Sequence, residues 1–189
     1  MILKSSAKSL LAALMLLTTA CASSSATMAP LTATPQGAYR LGAGDEVRIT
    51  VFGLDAASNT YVVGDAGTIA VPLLPTMTAA GQTADELQAA LVEAIKTREL
   101  LRNPSVSVQV QKYRPFFILG EVQRPGQYPY VPGMSVLTAV SIAGGYTFRA
   151  DTKKAAILRP SGGSVSKGGA KPDTLVQPGD TVNIPEAWF

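Results

Sequence analysis

Two stretches of this chain place a Gly-Asp pair directly before a run of alternating apolar residues. The first is GAGDEVRITV, at residues 42–51, and the second is QPGDTVNIPE, at residues 177–186. Glycine supplies backbone angles that other residues avoid, and the short Asp side chain can accept a hydrogen bond within its own turn. Each stretch therefore predicts a tight turn that leads into a strand. Since the flanking residues differ, we interpret the pair as one turn chemistry used twice and not as a counted repeat.

The residues after the first turn predict strands. Val47, Ile49 and Val51 alternate with charged or polar residues, which is typical of a half-buried strand. The segment YVVGDAGTIAVPLLP, at residues 61–75, predicts another pair of strands around a turn at Gly64–Gly67.

The clearest helix lies in GQTADELQAALVEAIKTREL, at residues 81–100. Thr83 and Glu86 have the spacing of a capping box, in which each side chain satisfies a free N–H at the start of the helix. Asn103-Pro104 then ends the helical pattern. The apolar face of this helix is Leu87, Leu91, Ala94 and Ile95, and the apolar face of the strand that follows is Val106, Val108 and Val110. We assign residues 38–113 to a first module.

A second module, residues 114–189, begins with a strand through Phe116–Val122, a turn at Arg124-Pro125-Gly126 and a return strand through Gln127–Tyr130. Ser135 is placed to cap a short helix that ends at Gly144-Gly145. A strand in AAILRP follows, then a predicted loop over Ser161–Pro172, then the second Gly-Asp turn. The fold class is therefore α+β, with no transmembrane domain expected in the mature chain.

The N-terminus has the layout of a secretory signal, which we assign to residues 1–20. Lys4 and Lys8 precede an apolar run of eight residues, Leu10–Leu17, which is too short to span a bilayer. A buried core helix is the alternative, but it does not explain the stretch of small residues that follows. Residues 21–37 are small, polar and Pro-containing, which favours a flexible tether.

Cys21 is the one cysteine in the chain, and it directly follows LTTA. Its position resembles the lipobox of bacterial lipoproteins, in which the cysteine is acylated after cleavage, although Thr18 stands where Leu is usual. Ala20–Ala22 also fits a cleavage site for simple secretion. We expect lipid attachment at Cys21, because an unpaired thiol is a liability in an oxidising compartment. The residue after the cysteine is Ala22 and not the Asp that commonly retains bacterial lipoproteins in the inner membrane. We therefore expect the outer membrane as the destination.

Composition excludes several kinds of chemistry. The chain has no histidine, so the commonest general base and metal ligand are missing. Asp45 and Glu46 point to opposite faces of a strand, so they do not form a catalytic pair. GAGDEV is followed by a strand and lacks the third glycine of a dinucleotide-binding loop, so we reject that function for it. KGGAKP, at residues 167–172, lacks the spacing of a phosphate-binding loop, and we predict a hairpin loop there. Without the signal the net charge is about +1, which gives no indication of nucleic-acid binding. We expect no cofactor and no metal.

Aromatic residues concentrate in the second module, where some could stack on sugar rings. Phe116 and Phe117 are adjacent in a strand, so we expect at least one of them in the core. The other members of the group are Tyr113, Tyr128, Tyr130, Tyr146 and Phe148.

Taken together, these motifs resemble the bacterial outer-membrane polysaccharide export family. YRLGAGDEVRITVFG, YVVGDAGTIAVP, the capped helix and NPSVSVQVQKY resemble its polysaccharide-export domain. FFILGEVQRPGQYPYVPGMSVLTAVSIAGGY resembles the soluble-ligand-binding β-grasp (SLBB) domain. Ala43 stands where the family often has Pro, and Pro75 where glycine is usual. The turn residues that carry the family motifs are Gly42, Gly44, Asp45, Gly120, Pro125, Gly126, Gly144 and Gly145.

The resemblance implies a non-catalytic ring of identical subunits, an octamer by analogy, lipid-anchored at the periplasmic face of the outer membrane of a Gram-negative bacterium. Capsular polysaccharide or exopolysaccharide would pass through it. It also implies an inner-membrane co-polymerase, often a tyrosine autokinase, as a partner. Because few residues follow Glu186, we expect a separate outer-membrane β-barrel to complete the route. A glycan-binding accessory lipoprotein is the alternative, and a periplasmic glycan hydrolase is a third possibility.

Overall fold

The computed structural model describes residues 37–161 and 163–187. Within them the chain is an α+β protein, as the sequence predicts, and neither helix is long and apolar enough to cross a membrane. A 3-10 turn at Asp55–Ala57 follows the first strand. The elements are β1 (Glu46–Val51), β2 (Asn59–Val62), β3 (Thr68–Ile69), β4 (Met77–Thr78), α1 (Ala84–Thr97), β5 (Val106–Lys112), β6 (Phe116–Gly120), β7 (Gly126–Tyr128), α2 (Val136–Ile142), β8 (Ala155–Ser161), β9 (Ser164–Ala170) and β10 (Thr181–Ile184).

The first module is built on an antiparallel sheet in the order β2-β1-β5. The alternation in β1 places Val47, Ile49 and Val51 in the core, where they are fully buried, as predicted. Burying one such side chain stabilises the fold by about 1.5–3 kcal/mol. These residues share one core with the buried face of α1, namely Leu87, Leu91 and Ile95.

Helix α1 begins with the predicted capping box. The backbone N–H of Glu86 donates to the Thr83 hydroxyl (3.1 Å), and the backbone N–H of Thr83 donates to the Glu86 carboxylate (2.9 Å). The Thr83 N–H, assisted by the nearby Arg40 guanidinium, holds the pKa of the Glu86 carboxyl below its ordinary value. The helix ends at Thr97, several residues before Asn103-Pro104, and Glu99 adopts a left-handed backbone angle of +55°.

One strand pairing in the first module differs from the prediction. β2 and β3 flank the turn at Gly64–Gly67, but they are not partners in one ladder. β2 pairs with β1, whereas β3 pairs with β4, a two-residue strand that the sequence does not reveal. The reason is that strand pairing depends on the cross-strand neighbours available in the fold, and the local pattern of residues 61–75 does not specify them.

The second module is built on a five-stranded sheet in the order β7-β6-β10-β8-β9. β10, which follows the second Gly-Asp turn, lies at the centre and runs parallel to β6; the other neighbouring strands are antiparallel. Ser135 caps α2 as predicted, its hydroxyl accepting the backbone N–H of Thr138. The core between sheet and helix is a separate cluster that includes Phe116, Ile118, Ile157, Val182, Ile184, Val136, Ala139 and Val140.

The predicted loop over Ser161–Pro172 is wrong in most of its length. Residues Ser164–Ala170 form β9, which pairs with β8 through seven residues. KGGAKP is therefore mainly strand and not a hairpin loop. Gly, Lys and Ala have low strand propensity, but β8 supplies a complete row of backbone partners, and this tertiary context overrides the local preference.

Candidate functional site

Among the described residues, two charged side chains are fully buried, and both belong to the Gly-Asp turns. They are Asp45 and Asp180, each with no exposed surface. A buried carboxylate is costly unless it is paired and hydrogen-bonded. The surroundings of the two residues are therefore a candidate functional site. Within the described ranges, no group of three Asp, Glu, His or Cys residues is arranged to hold a metal ion.

The first turn runs from Gly42 to Asp45. The Asp45 N–H donates to the Gly42 carbonyl (3.1 Å), and the Gly42 N–H donates back to Asp45 Oδ2 (2.8 Å). Gly44 has a φ of +89°, a left-handed angle that glycine adopts without strain. This is the local use of both residues that the sequence predicts. Glu46 points the other way, where it forms an exposed ion pair with Lys112.

The second turn, from Gln177 to Asp180, repeats this geometry. The Asp180 N–H donates to the Gln177 carbonyl (3.1 Å), the Gln177 N–H donates to Asp180 Oδ2 (2.8 Å), and Gly179 has a φ of +84°. Pro178 occupies the second turn position, where proline is favoured in type II turns. The two turns therefore share their glycine angle and both of their internal hydrogen bonds.

Each buried carboxylate is neutralised by one arginine. Arg159 donates two hydrogen bonds to Asp180, from Nε to Oδ1 (2.9 Å) and from Nη2 to Oδ2 (2.7 Å). This is the bidentate geometry that suits a guanidinium and a carboxylate. Arg114 pairs with Asp45 through Nη1 (3.2 Å), and its backbone N–H donates to Asp45 Oδ1 (2.8 Å). Neither arginine is indicated by the sequence, because nothing in the local pattern shows that the aspartates are buried and need a cation.

Three tyrosines form a row beside the first turn. Tyr39 meets Tyr113 edge to face (4.9 Å between ring centroids), and Tyr113 meets Tyr130 in the same way (5.5 Å). The Tyr39 hydroxyl donates to Asp45 Oδ2 (2.6 Å). Burial, and then this bond to a carboxylate, raise the pKa of Tyr39 well above its ordinary value. The row runs from the first module to Tyr130, which packs on the core of the second.

The remaining predicted turn residues lie in the second module. Gly120 has a φ of +89°, and a Cβ there would lie 2.0 Å from the Ile184 carbonyl oxygen, so the close approach of β6 and β10 requires glycine. Gly144 and Gly145 both have left-handed angles and follow α2. Pro125 is exposed, and Gly126 begins β7 instead of lying in the turn. Cys21 lies outside the described residues.

The aromatic group divides between core and surface. Phe116 is fully buried and Phe117 is 42% exposed, which confirms that the two residues lie on opposite faces of β6. Tyr128 stacks on Phe116 (6.0 Å). Tyr146 is half-buried, whereas Phe148 is 95% exposed.

Phe117 belongs to a sheet face that carries little charge. The strand register aligns its side chains in two rows across the sheet, on the side opposite α2. The first row is Gln127, Phe117, Thr181, Leu158 and Lys167, and the second is Leu119, Asn183, Ala156 and Gly169. A sheet face that is exposed to water usually carries polar side chains. Here apolar and amide side chains predominate, and Lys167, on the edge strand, is the one charged residue in the two rows.

Comparison with known proteins covers both modules. Residues 33–111 match the polysaccharide biosynthesis/export protein family, and residues 115–168 match the SLBB domain. Exopolysaccharide production protein ExoF of Rhizobium meliloti (strain 1021) is 38% identical to the chain over 118 residues. That alignment covers 57% of this chain and 28% of ExoF, so the chain spans little more than a quarter of that relative's length.

Proposed function

Since this chain belongs to the polysaccharide biosynthesis/export family and carries one SLBB domain, we propose that it is a component of the machinery that exports an exopolysaccharide. The observation that carries the proposal is the order of the two matches. A polysaccharide-export domain is followed directly by an SLBB domain, and the similarity to ExoF supports the same role. The boundary that we propose between the two domains lies at Tyr113 and Arg114.

The proposed component is a structural part of the export route and not an enzyme. A buried carboxylate is the usual starting point for acid-base chemistry, but Asp45 and Asp180 are each committed to an arginine and to their own turn. The two are also enclosed by protein, with no exposed surface for a substrate. These contacts support a role in shape and assembly.

We further propose a place for the component in the cell. Lipid attached at Cys21 would hold it at the periplasmic face of the outer membrane, and residues 21–37 would act as the tether. Identical copies would assemble into a ring, an octamer by analogy with the family, that conducts the polysaccharide. An inner-membrane co-polymerase would deliver the polymer, and an outer-membrane barrel would complete the route.

Deletion of the gene tests the proposal most simply. The expected result is loss of surface and secreted polysaccharide while the polymer is still made inside the cell, and wild-type protein supplied in trans should restore export. Normal surface polysaccharide in the deletion strain would contradict the proposal. A Cys21→Ser chain tests the anchor separately: it should leave the membrane fraction and fail to restore export.

A second candidate function rests on the two rows of mainly apolar and amide side chains on the second sheet, in which Lys167 carries the one charge. Phe117 offers an exposed ring, and Gln127, Thr181 and Asn183 offer neutral hydrogen-bonding groups beside it. Such a surface suits a glycan held by an accessory lipoprotein that forms no conduit. Calorimetric titration of the purified chain with oligosaccharides of the secreted polymer distinguishes the two candidates. Binding that Phe117→Ala abolishes, by a protein that electron microscopy shows to be monomeric, favours the accessory role.

A further inference from the structure

The two modules are joined by a very short link. β5 ends at Lys112 and β6 begins at Phe116, so only residues 113–115 lie between the two sheets. A link of this length limits how far the modules can separate, but it does not by itself fix the angle between them. Residues 112–114 also lie between the two segments that match known families. The contacts of the linker residue Arg114 therefore bear on how the modules are held.

Arg114 bonds to both Gly-Asp turns at once. On the first-module side, its backbone N–H and its Nη1 bond to Asp45, and Nη1 also donates to the Tyr39 hydroxyl (3.0 Å). On the second-module side, its Nε donates to the carbonyl of Pro178 (3.1 Å). One guanidinium thus spans turns that are more than 130 residues apart in the chain.

The turn glycines provide the space for this guanidinium. A Cβ at Gly42 would lie 2.0 Å from Arg114 Nη1, and a Cβ at Gly179 would lie 2.8 Å from Arg114 Nε. Neither position therefore tolerates a side chain while Arg114 keeps its present place. The linker backbone is held as well, since the Gly179 N–H donates to the Pro115 carbonyl (3.0 Å). Arg114 is thus enclosed between one glycine of each turn.

We propose that Arg114 is a clamp that fixes the orientation of the two modules, so that they move as one body. It is a positioning residue. Its Nη1 is directed at Asp45 and Tyr39 while its Nε is directed at Pro178, and this division needs the planar, multi-donor guanidinium. A lysine ammonium is a single point charge on a flexible stem and cannot reproduce it. The proposal goes beyond the export role and does not depend on it.

Double electron–electron resonance, which measures the distance between two spin labels, tests the clamp in the full chain. Cys21→Ser removes the native thiol, and Ala89→Cys on α1 with Val165→Cys on β9 places one exposed label in each module. The protein with Arg114 should give one narrow distance distribution. Arg114→Met should broaden it, and Arg114→Lys should broaden it to a lesser degree. Trypsin cleavage after Lys112 should accelerate in Arg114→Met by about tenfold or more, since a bond to a charged group is lost.

Two controls separate a clamp from a general loss of structure. A label pair inside the second module, Leu137→Cys with Val165→Cys, should give the same distance with and without Arg114. Gly179→Ala keeps Arg114 but displaces its guanidinium, so this variant should broaden the distance between the modules if Arg114→Met does not fold. Unchanged distances between the modules in Arg114→Met, or in Gly179→Ala where Arg114→Met does not fold, would overturn the proposal.

Discussion

The two Gly-Asp turns have the same local geometry but different surroundings. In both, glycine has a left-handed φ, +89° at Gly44 and +84° at Gly179, and aspartate is fully buried and bonded to the first turn residue. Asp180, however, is gripped by Arg159 from its own module, whereas Asp45 is paired with Arg114 from the linker. Two turns with the same sequence signature therefore serve different contacts. One stabilises a module, and the other joins two.

The difference arises from the partner and not from the turn. Each Gly-Asp turn directs one carboxylate into the protein interior. The arginine that pairs with this carboxylate is the one that the surrounding fold brings close to it. Arg159 keeps 17% of its side chain exposed and makes a bidentate pair, whereas Arg114 keeps 28% exposed and divides its donors among three residues. We expect the Arg159 pair to contribute more to stability and the Arg114 pair to contribute more to the relative position of the modules.

The largest effect is expected from Arg159→Met. The change leaves Asp180 buried without its cation, and removal of one partner of a buried pair costs about 3–5 kcal/mol. Because Arg159 is partly exposed, we expect about 3 kcal/mol in the free energy of unfolding, measured by urea denaturation followed by far-UV circular dichroism. Arg149→Met, which breaks the exposed pair with Glu186, is the matched control and should lower the free energy of unfolding far less, because solvent screens that pair. Equal losses of unfolding free energy in the two variants would contradict the expected difference between a buried and an exposed ion pair.

The next effect compares the turn glycines. Gly44→Ala places a Cβ at ordinary contact distance from Arg114 (3.6 Å), so only the left-handed angle is penalised, at about 1–2 kcal/mol. Gly179→Ala has the same penalty and also displaces the Arg114 guanidinium. It should therefore be the more destabilising of the two by about 1.5 kcal/mol or more, since a bond to a charged group is lost. The same denaturation experiment measures both, and equal losses would show that Arg114 does not need the space at Gly179.

A smaller effect is expected from Tyr39→Phe. The ring contact with Tyr113 remains, but the bond to the Asp45 carboxylate and the bond accepted from Arg114 are lost. Because Asp45 keeps its other donors, we expect a cost of about 1.5 kcal/mol at neutral pH, the lower end of the range for a bond to a charged group. The pKa of Tyr39 is raised in the fold, so its contribution is fully present below the ordinary value of 10.0 and falls as the pH rises above it. Denaturation midpoints at pH 8 and pH 11 should therefore differ less in Tyr39→Phe than in the unaltered chain. An equal decline in both would contradict this role of the hydroxyl.

The smallest expected effect is a gain in stability, from a proline in the first turn. Ala43 occupies the turn position that Pro178 holds in the second turn, and it is exposed. Ala43→Pro should raise the free energy of unfolding by about 0.4–1 kcal/mol, because proline restricts the unfolded chain. Thermal denaturation measures the gain, with Ala70→Pro, at an exposed position after β3, as a control that should give none. A loss at Ala43 would show that the two turns differ in backbone angle at this position.

The local elements of this fold could be predicted because their causes are local. The capping box at Thr83, the alternation in β1 and the cap at Ser135 each depend on residues a few positions apart. The turn chemistry of Asp45 and Asp180 could be predicted for the same reason. The family resemblance, confirmed by the two domain matches, depends on these same segments.

What the sequence did not reveal depends on distant partners. β9 is a strand because β8 lies beside it, and β3 pairs with β4 because the fold brings them together. The role of Arg114 depends on two turns that lie close together in the fold, and no sequence spacing predicts that they are close. A cation directly before Pro115, between two predicted strands, was the available signal. Its significance follows only once both aspartates are known to be buried.

Hydrogen exchange measured by mass spectrometry tests most directly whether one pair joins the modules and the other stabilises one of them. Peptides covering α1 and β10 report on the first and second modules in the same sample. In the unaltered chain we predict that both exchange with one opening free energy, because the modules open together. Arg159→Met should lower both values together, whereas Arg114→Met should make them unequal. Equal values for α1 and β10 in Arg114→Met would contradict the account.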